Sequence, residues 1–372
     1  MFVSRRQWLG SLAALGLLPS RLVARQTETQ AIPPTSGPMT AATLAMLRRA
    51  AGTPGMVVFW QRGQDRLTVL ADGVRAAGYP QAVTPQDKWH IGSITKSFTA
   101  TLFARAVEAG AIGWDTPLGA VLADVPRHHR KLTGIDLLSH HAGLAKDIPL
   151  PALFAMPQQE ADARTSRARY AQMALAMPRA GKPRRGLLYS NAGYVLAAHM
   201  LETVSNLPFE VLLRREVLVP LGLGSAGFGP PGSADSHNQP WGHDGGVAVF
   251  ADNPAAMAPA GGLHLTAADL ASYLAAHRDR APLLRPESWA QLRRPRFGSQ
   301  MALGWFVDPD GSLWHNGSNT RWYAEVLIDS RTGAVMGHCG NDMALFQRQR
   351  LLLPLLRSAA AAMPEQRMDK RP

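Results

Sequence analysis

The chain has 372 residues, of which 46% are hydrophobic and 18% are charged, and a formal net charge of +12 at pH 7. This composition excludes disordered and fibrous classes and predicts a folded globular protein. One cysteine, Cys339, rules out an internal disulfide. The basic residues are spread along the chain without a nucleic-acid-binding motif, so we expect no nucleic-acid partner.

The N-terminus has the pattern of an export signal. Arg5 and Arg6 precede an apolar stretch over residues 9–18. A twin-arginine pair before a short apolar region is typical of a twin-arginine signal peptide, and this stretch is too short to cross a bilayer, which takes about 20 residues. Cleavage after Ala24 and cleavage after Ala31 fit equally well. The sequence therefore predicts a periplasmic or otherwise exported protein with no stable membrane span.

Helix and strand patterns alternate in the next part of the chain. Ile94, Phe98 and Leu102 recur at four-residue spacing, which places them on one face of a helix. Apolar runs on both sides of a turn at 62–65 predict a hairpin. The elements predicted here are a helix over 40–49, strands over 55–61 and 66–71, and a helix over 93–108.

The middle of the chain and its end have different patterns. Residues 111–260 mix short helical patterns with many Pro and Gly breaks, and only 247–250 fits a short strand. Thr266 suits a helix N-cap, with Asp269 three residues later. The remaining predicted elements are a helix over 266–277, strands over 301–307, 312–315, 321–329 and 334–339, and a helix over 344–361.

These patterns predict an α+β fold. Strands from both ends would form an antiparallel sheet of about five strands flanked by helices, and the middle would form an all-helical domain. A cleft between the two is where we expect a site. The predicted division is a twin-arginine signal peptide and leader over 1–31, a sheet domain over 32–95 plus 262–362, a helical domain over 96–261 and a disordered tail over 363–372.

Ser93 and Lys96 form a Ser-x-x-Lys motif at the start of the second predicted helix. Residues three apart share a helix face, so the lysine amine can reach the serine hydroxyl. A serine becomes a nucleophile when a base takes its proton, and burial disfavours the charged form of a lysine. The motif indicates a covalent serine hydrolase. On its own, the spacing also fits an ordinary helix start with Ser93 as N-cap.

Two further groups carry polar side chains that such a site needs. Tyr189 and Asn191 form Tyr-x-Asn; a phenol beside a lysine can be driven towards phenolate and can carry protons, and the amide both donates and accepts hydrogen bonds. His315 and Gly317 form His-x-Gly at the end of a predicted strand. The glycine there lets a backbone approach closely, and the next backbone N–H can point at an oxyanion.

The three groups in this order resemble the Ser-x-x-Lys serine hydrolases: class C β-lactamases, D-alanyl-D-alanine carboxypeptidases, D-aminopeptidases and related esterases. The resemblance covers roughly residues 54–356 and includes the segments 135–144, 220–223 and 259–263. It implies a β-lactamase/transpeptidase-like fold. It also implies acylation of a serine followed by attack of water.

The resemblance also implies a role for each site residue. The catalytic roles are Ser93 as nucleophile, Lys96 as general base, Tyr189 as proton relay and the backbone N–H groups of Ser93 and Ser318 as oxyanion hole. The substrate-binding residues are Asn191, His315, Asn316 and Gly317. Whether Lys96 or Tyr189 takes the first proton stays open, because coupled groups share their titration.

The third group departs from the β-lactamase pattern. Many β-lactamases carry Lys-Thr-Gly or Lys-Ser-Gly where this chain has His315-Asn316-Gly317. A lysine gives a permanent positive charge for a substrate carboxylate, whereas histidine is mostly neutral above its ordinary pKa of about 6.5. We therefore favour an ester or amide hydrolase over a true β-lactamase or a D-Ala-D-Ala carboxypeptidase.

A different class of function is a non-catalytic cell-wall or β-lactam binding protein on the same fold. The intact set of Ser93, Lys96 and Tyr189 argues against it, because a binder does not need all three. The histidine pairs lack the spacing and the carboxylate partner of a metalloprotease site, so we expect no metal and no cofactor. The expected partner is a small-molecule or peptide-like acyl substrate, and the oligomeric state is not predicted.

Overall fold

The computed structural model describes residues 39–362. The predicted signal peptide and the predicted disordered tail lie outside the described residues. Within that range, no helix is both long and apolar enough to cross a membrane.

Twelve α-helices and eleven strands make up the described chain. The helices are α1 (Ala41–Ala51), α2 (Thr95–Glu108), α3 (Leu118–Val121), α4 (Gly134–Leu138), α5 (Leu150–Phe154), α6 (Arg164–Ala176), α7 (Asn191–Ser205), α8 (Phe209–Leu213), α9 (Ala258–Gly261), α10 (Ala267–Asp279), α11 (Pro286–Arg293) and α12 (Gln349–Ala361). The strands are β1 (Gly55–Arg62), β2 (Thr68–Gly73), β3 (Lys88–His90), β4 (Gly227–Phe228), β5 (Gly242–Asp244), β6 (Val247–Val249), β7 (Leu263–Thr266), β8 (Phe306–Val307), β9 (Leu313–Ser318), β10 (Tyr323–Asp329) and β11 (Ala334–Gly340).

The main sheet has six antiparallel strands in the order β2-β1-β11-β10-β9-β8. Both ends of the described chain contribute to it, so the predicted α+β fold is confirmed. The number of strands is six instead of about five. The segment predicted as a strand over 301–307 is paired only at Phe306–Val307 and at an isolated bridge between Met301 and Phe306.

Helices cover both faces of this sheet, which explains why the central strands are buried on both sides. Along β1, Val57 and Phe59 belong to the large core that includes α10 and the helical region. The alternate side chains Met56 and Val58 belong to a second core with α1 and α12. The period of two along the strand therefore assigns successive side chains to opposite layers.

The helix α2 lies at the junction between the sheet and the helical region. Its residues 95–104 are all buried, although the sequence predicted only one apolar face. A helix buried all round is an interior helix. The small sheet β3-β7-β4 beside it takes strands from both predicted domains. The domain boundaries at 95 and 262 stay a prediction.

Candidate active site

Ser93 lies in a short 3-10 turn, Gly92–Ile94, between β3 and α2. The sequence predicted the helix from Ser93, whereas the α-helix begins at Thr95. The Thr95 hydroxyl fastens the turn by donating to Gly92 O at 2.7 Å. Ser93 itself is partly exposed, as a nucleophile that meets a substrate must be.

Lys96 is completely buried in the first turn of α2. Its Nζ donates to Ser93 Oγ at 2.9 Å, to Asn191 Oδ1 at 2.8 Å and to Ala260 O at 2.6 Å. All three partners are neutral acceptors. Burial lowers the pKa of Lys96 well below its ordinary value, and the charge of Lys146 lowers it further, while Asp147 opposes the shift. The amine form is therefore favoured, and this form can take the Ser93 proton.

Asn191 connects Lys96 to a buried carboxylate. The Asn191 Nδ2 donates to Asp147 Oδ2 at 2.7 Å, and the Tyr170 hydroxyl donates to Asp147 Oδ1 at 2.6 Å. These two donors fix the amide so that its Oδ1 faces Lys96. Burial raises the pKa of Asp147, although both hydrogen bonds act in the opposite direction. Asp147 therefore acts on the lysine through Asn191 and not by direct pairing.

Tyr189 is placed beside Ser93 by contacts with His140. This histidine lies in the segment 135–144, which the sequence analysis identified only through its resemblance to the family. The Ser190 N–H donates to His140 Nδ1 at 3.0 Å, and the Tyr189 ring packs 4.1 Å from the His140 ring. The Tyr189 phenol is hydrogen-bonded to Ser93, and Lys96 Nζ lies 4.9 Å from its ring centroid. Burial raises the pKa of Tyr189. Burial therefore favours the neutral phenol, which has a proton to donate.

The β9 backbone crosses directly over the Ser93 turn at Gly317. A Cβ atom at Gly317 would lie 2.0 Å from Ile91 O and 2.5 Å from Ser93 N. A Cβ atom at Gly92, whose φ is +49°, would lie 2.3 Å from Ser318 N. Only glycine fits at either position, and the close approach brings the Ser93 and Ser318 N–H groups to one place. This is the arrangement that an oxyanion hole requires.

His315 and Asn316 have different environments although they are neighbours on β9. His315 is fully buried, its Nδ1 lies 2.5 Å from Asn316 O, and burial together with the charge of Lys96 lowers its pKa to about 3. Its side chain is not among those that line the cavity at Ser93, and Asn316 is. Among the described residues, the buried Asn316 Nδ2 has no hydrogen-bond partner. Of these two predicted substrate-binding residues, Asn316 is therefore the one in contact with the cavity.

The cavity beside Ser93 has a volume of about 230 Å³. Its lining includes both polar and apolar groups. The polar and backbone positions are Ser93, Lys146, Tyr189, Asn191, Asn316, Gly317, Ser318 and Thr320, and the large side chains are Tyr323, Met343 and Phe346. Lys146 is exposed and is the one charged side chain among these described lining residues. Such a cavity suits a small acyl group with a polar end.

The sequence missed several of these contributors. Ala260 and Lys146 lie in or just after segments that carry the family resemblance, but a backbone carbonyl and a surface lysine have no motif of their own. The large side chains of the cavity come from β10 and the segment after β11. Within residues 39–362, no group of three His, Cys, Asp or Glu side chains could hold a metal ion.

Comparisons with known proteins agree with this geometry. The family model described as Beta-lactamase matches residues 40–356. Penicillin-binding protein 4 from Amycolatopsis lactamdurans is 28% identical over 297 residues, which cover 72% of this chain and 75% of that protein. An unguisins hydrolase from Aspergillus violaceofuscus is 30% identical over 142 residues, which cover 36% of this chain and only 24% of that protein.

A solved structure has the same fold as this chain. The D-amino acid amidase from Ochrobactrum anthropi SV3 superposes with a TM-score of 0.72 at 22% identity, covering 86% of this chain and 96% of the amidase chain. At this identity the likeness shows a shared fold and leaves the substrate open.

Proposed function

Because this chain is a serine hydrolase that belongs to the beta-lactamase family, we propose that it cleaves ester or amide substrates, including peptide-like ones, through an acyl-enzyme on Ser93. The observation that carries the proposal is the 2.9 Å contact between Lys96 Nζ and Ser93 Oγ around a fully buried amine. A base of lowered pKa beside a partly exposed hydroxyl is what nucleophilic catalysis requires.

The directions of the pKa shifts support the following roles for the proton carriers. The Lys96 amine takes the Ser93 proton while Ser93 Oγ attacks the acyl carbon, and the carbonyl oxygen becomes an oxyanion held by the N–H groups of Ser93 and Ser318. The neutral Tyr189 phenol donates its proton to the leaving oxygen or nitrogen as the bond from this atom to the acyl carbon breaks, and the Lys96 ammonium returns a proton to the phenolate. Water then attacks the acyl-enzyme by the same route in reverse, releasing the acid and restoring Ser93.

The cavity supports a small acyl group. Its volume of about 230 Å³ lies below the range of about 300–1,000 Å³ typical of drug-sized ligands. The large side chains of Tyr323, Met343 and Phe346 suit a short aliphatic or aromatic group. Asn316 also lines the cavity, and its Nδ2, which has no hydrogen-bond partner among the described residues, can donate to a carbonyl oxygen of the substrate. The neutral His315 provides no permanent charge, which favours ester and amide substrates over β-lactams.

A second candidate is penicillin acylation, as in a β-lactamase or a D-Ala-D-Ala carboxypeptidase. The similarity to penicillin-binding protein 4 over 72% of this chain favours it. Lys146 would then offer the positive charge that His315 does not.

Four reagents separate these candidates and the non-catalytic binder: a fluorophosphonate probe, p-nitrophenyl butyrate, a fluorescent penicillin and nitrocefin. We expect covalent labelling at Ser93 by mass spectrometry and turnover of the ester, both abolished in Ser93→Ala. Turnover of nitrocefin would favour a β-lactamase, and a long-lived penicillin adduct would favour a carboxypeptidase. Absence of any adduct on Ser93 from all acylating reagents would refute the proposal.

We further propose that the protein works outside the cytoplasm, on the basis of Arg5 and Arg6 before the apolar stretch. Cell fractionation tests this. The exported fraction should disappear when both arginines are changed to lysine, and should persist when Arg21 alone is changed. Equal export of the double variant would contradict the twin-arginine route.

A further inference from the structure

A buried carboxylate, Asp252, lies behind the oxyanion hole and is not used in the mechanism above. It is 5% exposed and precedes the short 3-10 helix Ala255–Met257, which leads into α9. No motif in the sequence pointed to it. Its two oxygens contact groups on the two chain segments that form the oxyanion hole.

On the Ser93 side, the contact runs through His90. His90 Nε2 lies 3.0 Å from Asp252 Oδ2, within ion-pair distance. The other ring nitrogen, Nδ1, accepts the Gly92 N–H at 3.2 Å. Because Nδ1 is occupied by this contact, Nε2 is the ring nitrogen that faces the carboxylate. The carboxylate therefore fixes the ring that holds the turn containing Ser93.

On the Ser318 side, the contact runs through Asn319. The Asn319 Nδ2 donates to Asp252 Oδ1 at 2.8 Å, and its Oδ1 accepts the Arg321 N–H at 3.2 Å. The amide is thereby fixed at both ends, and Asn319 is 4% exposed. Since Asn319 directly follows Ser318, the carboxylate also holds the end of β9.

The same loop also reaches the base. Asn253 Nδ2 donates to Gly261 O at 3.4 Å, next to Ala260, whose carbonyl oxygen accepts from Lys96. Asp252 Oδ1 additionally accepts the Asn253 N–H at 2.6 Å. Asp252 and Asn253 are neighbours on one loop. Through them this loop contacts the segment that binds Lys96 and both segments that form the oxyanion hole.

We propose that Asp252 is a positioning residue for the reaction at Ser93. It sets the spacing of the Ser93 and Ser318 N–H groups through His90 and Asn319, and it does not touch the substrate. This inference rests on the proposed acylation of Ser93. Misplacement of reacting groups by about 1 Å can cost about 10²-fold in rate, so loss of the bridge should act on the transition state more than on substrate binding.

A second cavity makes the inference testable by chemical rescue. It has a volume of about 550 Å³, and Asp252 lies in its wall together with Glu160, Phe228 and Phe250. Removal of the Asp252 side chain would therefore leave a space that small carboxylates can reach. Glu160 lines the same cavity, is exposed and accepts from the Ser166 hydroxyl on α6, so it is the matched control.

The experiment compares Asp252→Ala, Asp252→Asn and Glu160→Gln in p-nitrophenyl butyrate hydrolysis and in phenylboronic acid inhibition. For both Asp252 variants we expect kcat to fall about 10-fold to 10²-fold with KM within about twofold, and boronate affinity to fall in parallel because the boronate adduct is tetrahedral. Sodium formate should partly restore Asp252→Ala only. Glu160→Gln should match the parent protein.

Folding is checked by thermal unfolding, and Asp252→Asn keeps the test valid if Asp252→Ala does not fold, because the amide has the same shape. An amide cannot accept from both His90 and Asn319, so this variant still breaks the bridge. Unchanged kcat and boronate affinity in folded Asp252→Asn would overturn the inference. A parent protein that fails to label at Ser93 would instead refute the proposed function.

Discussion

Within residues 39–362, two basic side chains are completely buried, Lys96 beside Ser93 and Arg167 on α6, and their partners differ. Arg167 bonds to two carboxylates, through NH1 to Glu202 and through NH2 to Glu210 Oε1 at 2.5 Å. Lys96 bonds to a hydroxyl, an amide oxygen and a backbone carbonyl. A buried charge is tolerated when it is paired, so Arg167 is a permanent cation with a structural role. The Lys96 amine has only neutral direct partners, and this difference suits it to the proposed role of base.

The two sites also meet through one segment. Arg167 donates to the carbonyl oxygens of Ala255 and Ala256, both at 3.4 Å. These residues begin the segment that ends with Ala260, the carbonyl partner of Lys96. Arg167 thus supports the backbone segment whose Ala260 carbonyl positions Lys96.

Lys96→Arg is expected to have the largest effect. Arginine does not lose its proton under working conditions, so the base is lost while a cation remains. We expect acylation of Ser93 to fall by about 10³-fold or more, measured as the rate of fluorophosphonate labelling, with a circular dichroism spectrum like that of the parent. Lys182→Arg, at an exposed lysine that does not line the cavity at Ser93, is the control. Retained labelling by Lys96→Arg would show that Lys96 is not the base.

Arg167→Met should damage stability instead of chemistry. It leaves the buried Glu202 and the half-buried Glu210 without their cation, and breaking a buried pair by removing one partner costs about 3–5 kcal/mol. Urea unfolding measures this change. The variant that remains folded should still label at Ser93.

The control for this prediction is Arg164→Met, which removes a largely exposed pair with Asp162 and should change stability by about 1 kcal/mol or less. Equal effects of the two substitutions would mean that burial of the Arg167 pair has no energetic consequence.

The pH dependence of the free energy of unfolding tests the lowered pKa of Lys96. In the folded protein the pKa of Lys96 is lowered, whereas in the unfolded chain it is about 10.4. Between these values the unfolded state binds more protons, so the Lys96 contribution to the free energy of unfolding rises with pH up to about 10.4. The stability difference between the parent and Lys96→Met should therefore shift in favour of the parent from pH 7 to pH 10. A constant difference would contradict a lowered pKa.

His315→Gln should have the smallest effect on activity. His315 is buried with a pKa of about 3, so it carries no charge at neutral pH and ester turnover should change by only about threefold. In acid, His315 should make the free energy of unfolding depend on pH. Its imidazole binds a proton below about pH 6.5 in the unfolded chain, but only near pH 3 in the folded protein. Stability attributable to His315 is therefore lost as the pH falls through this window, and the glutamine variant should be less acid-sensitive. A change in the neutral limb of the pH–rate profile would contradict this role.

Sequence patterns located much of the fold because local rules were sufficient for it. Thr266 is an N-cap whose hydroxyl accepts the Asp269 N–H, as its spacing predicted. The strands β10 and β11 were found nearly to their ends, because they are apolar runs bounded by turns. The prediction failed at 301–307, where a strand pattern pairs over only two residues, and at β9, which continues through the Asn-Gly pair that commonly forms a turn.

The candidate residues for the chemistry could be named from the sequence itself, because Ser93, Lys96, Tyr189 and Asn191 have side chains suited to one reaction and occur in recognisable groups. Their protonation was decided only by the tertiary structure. Burial lowers the pKa of Lys96 and raises that of Tyr189, and burial is a property of the packed core and not of spacing along the chain. The contacts of Asp252 with His90 and Asn319 likewise exist only after distant segments have packed together.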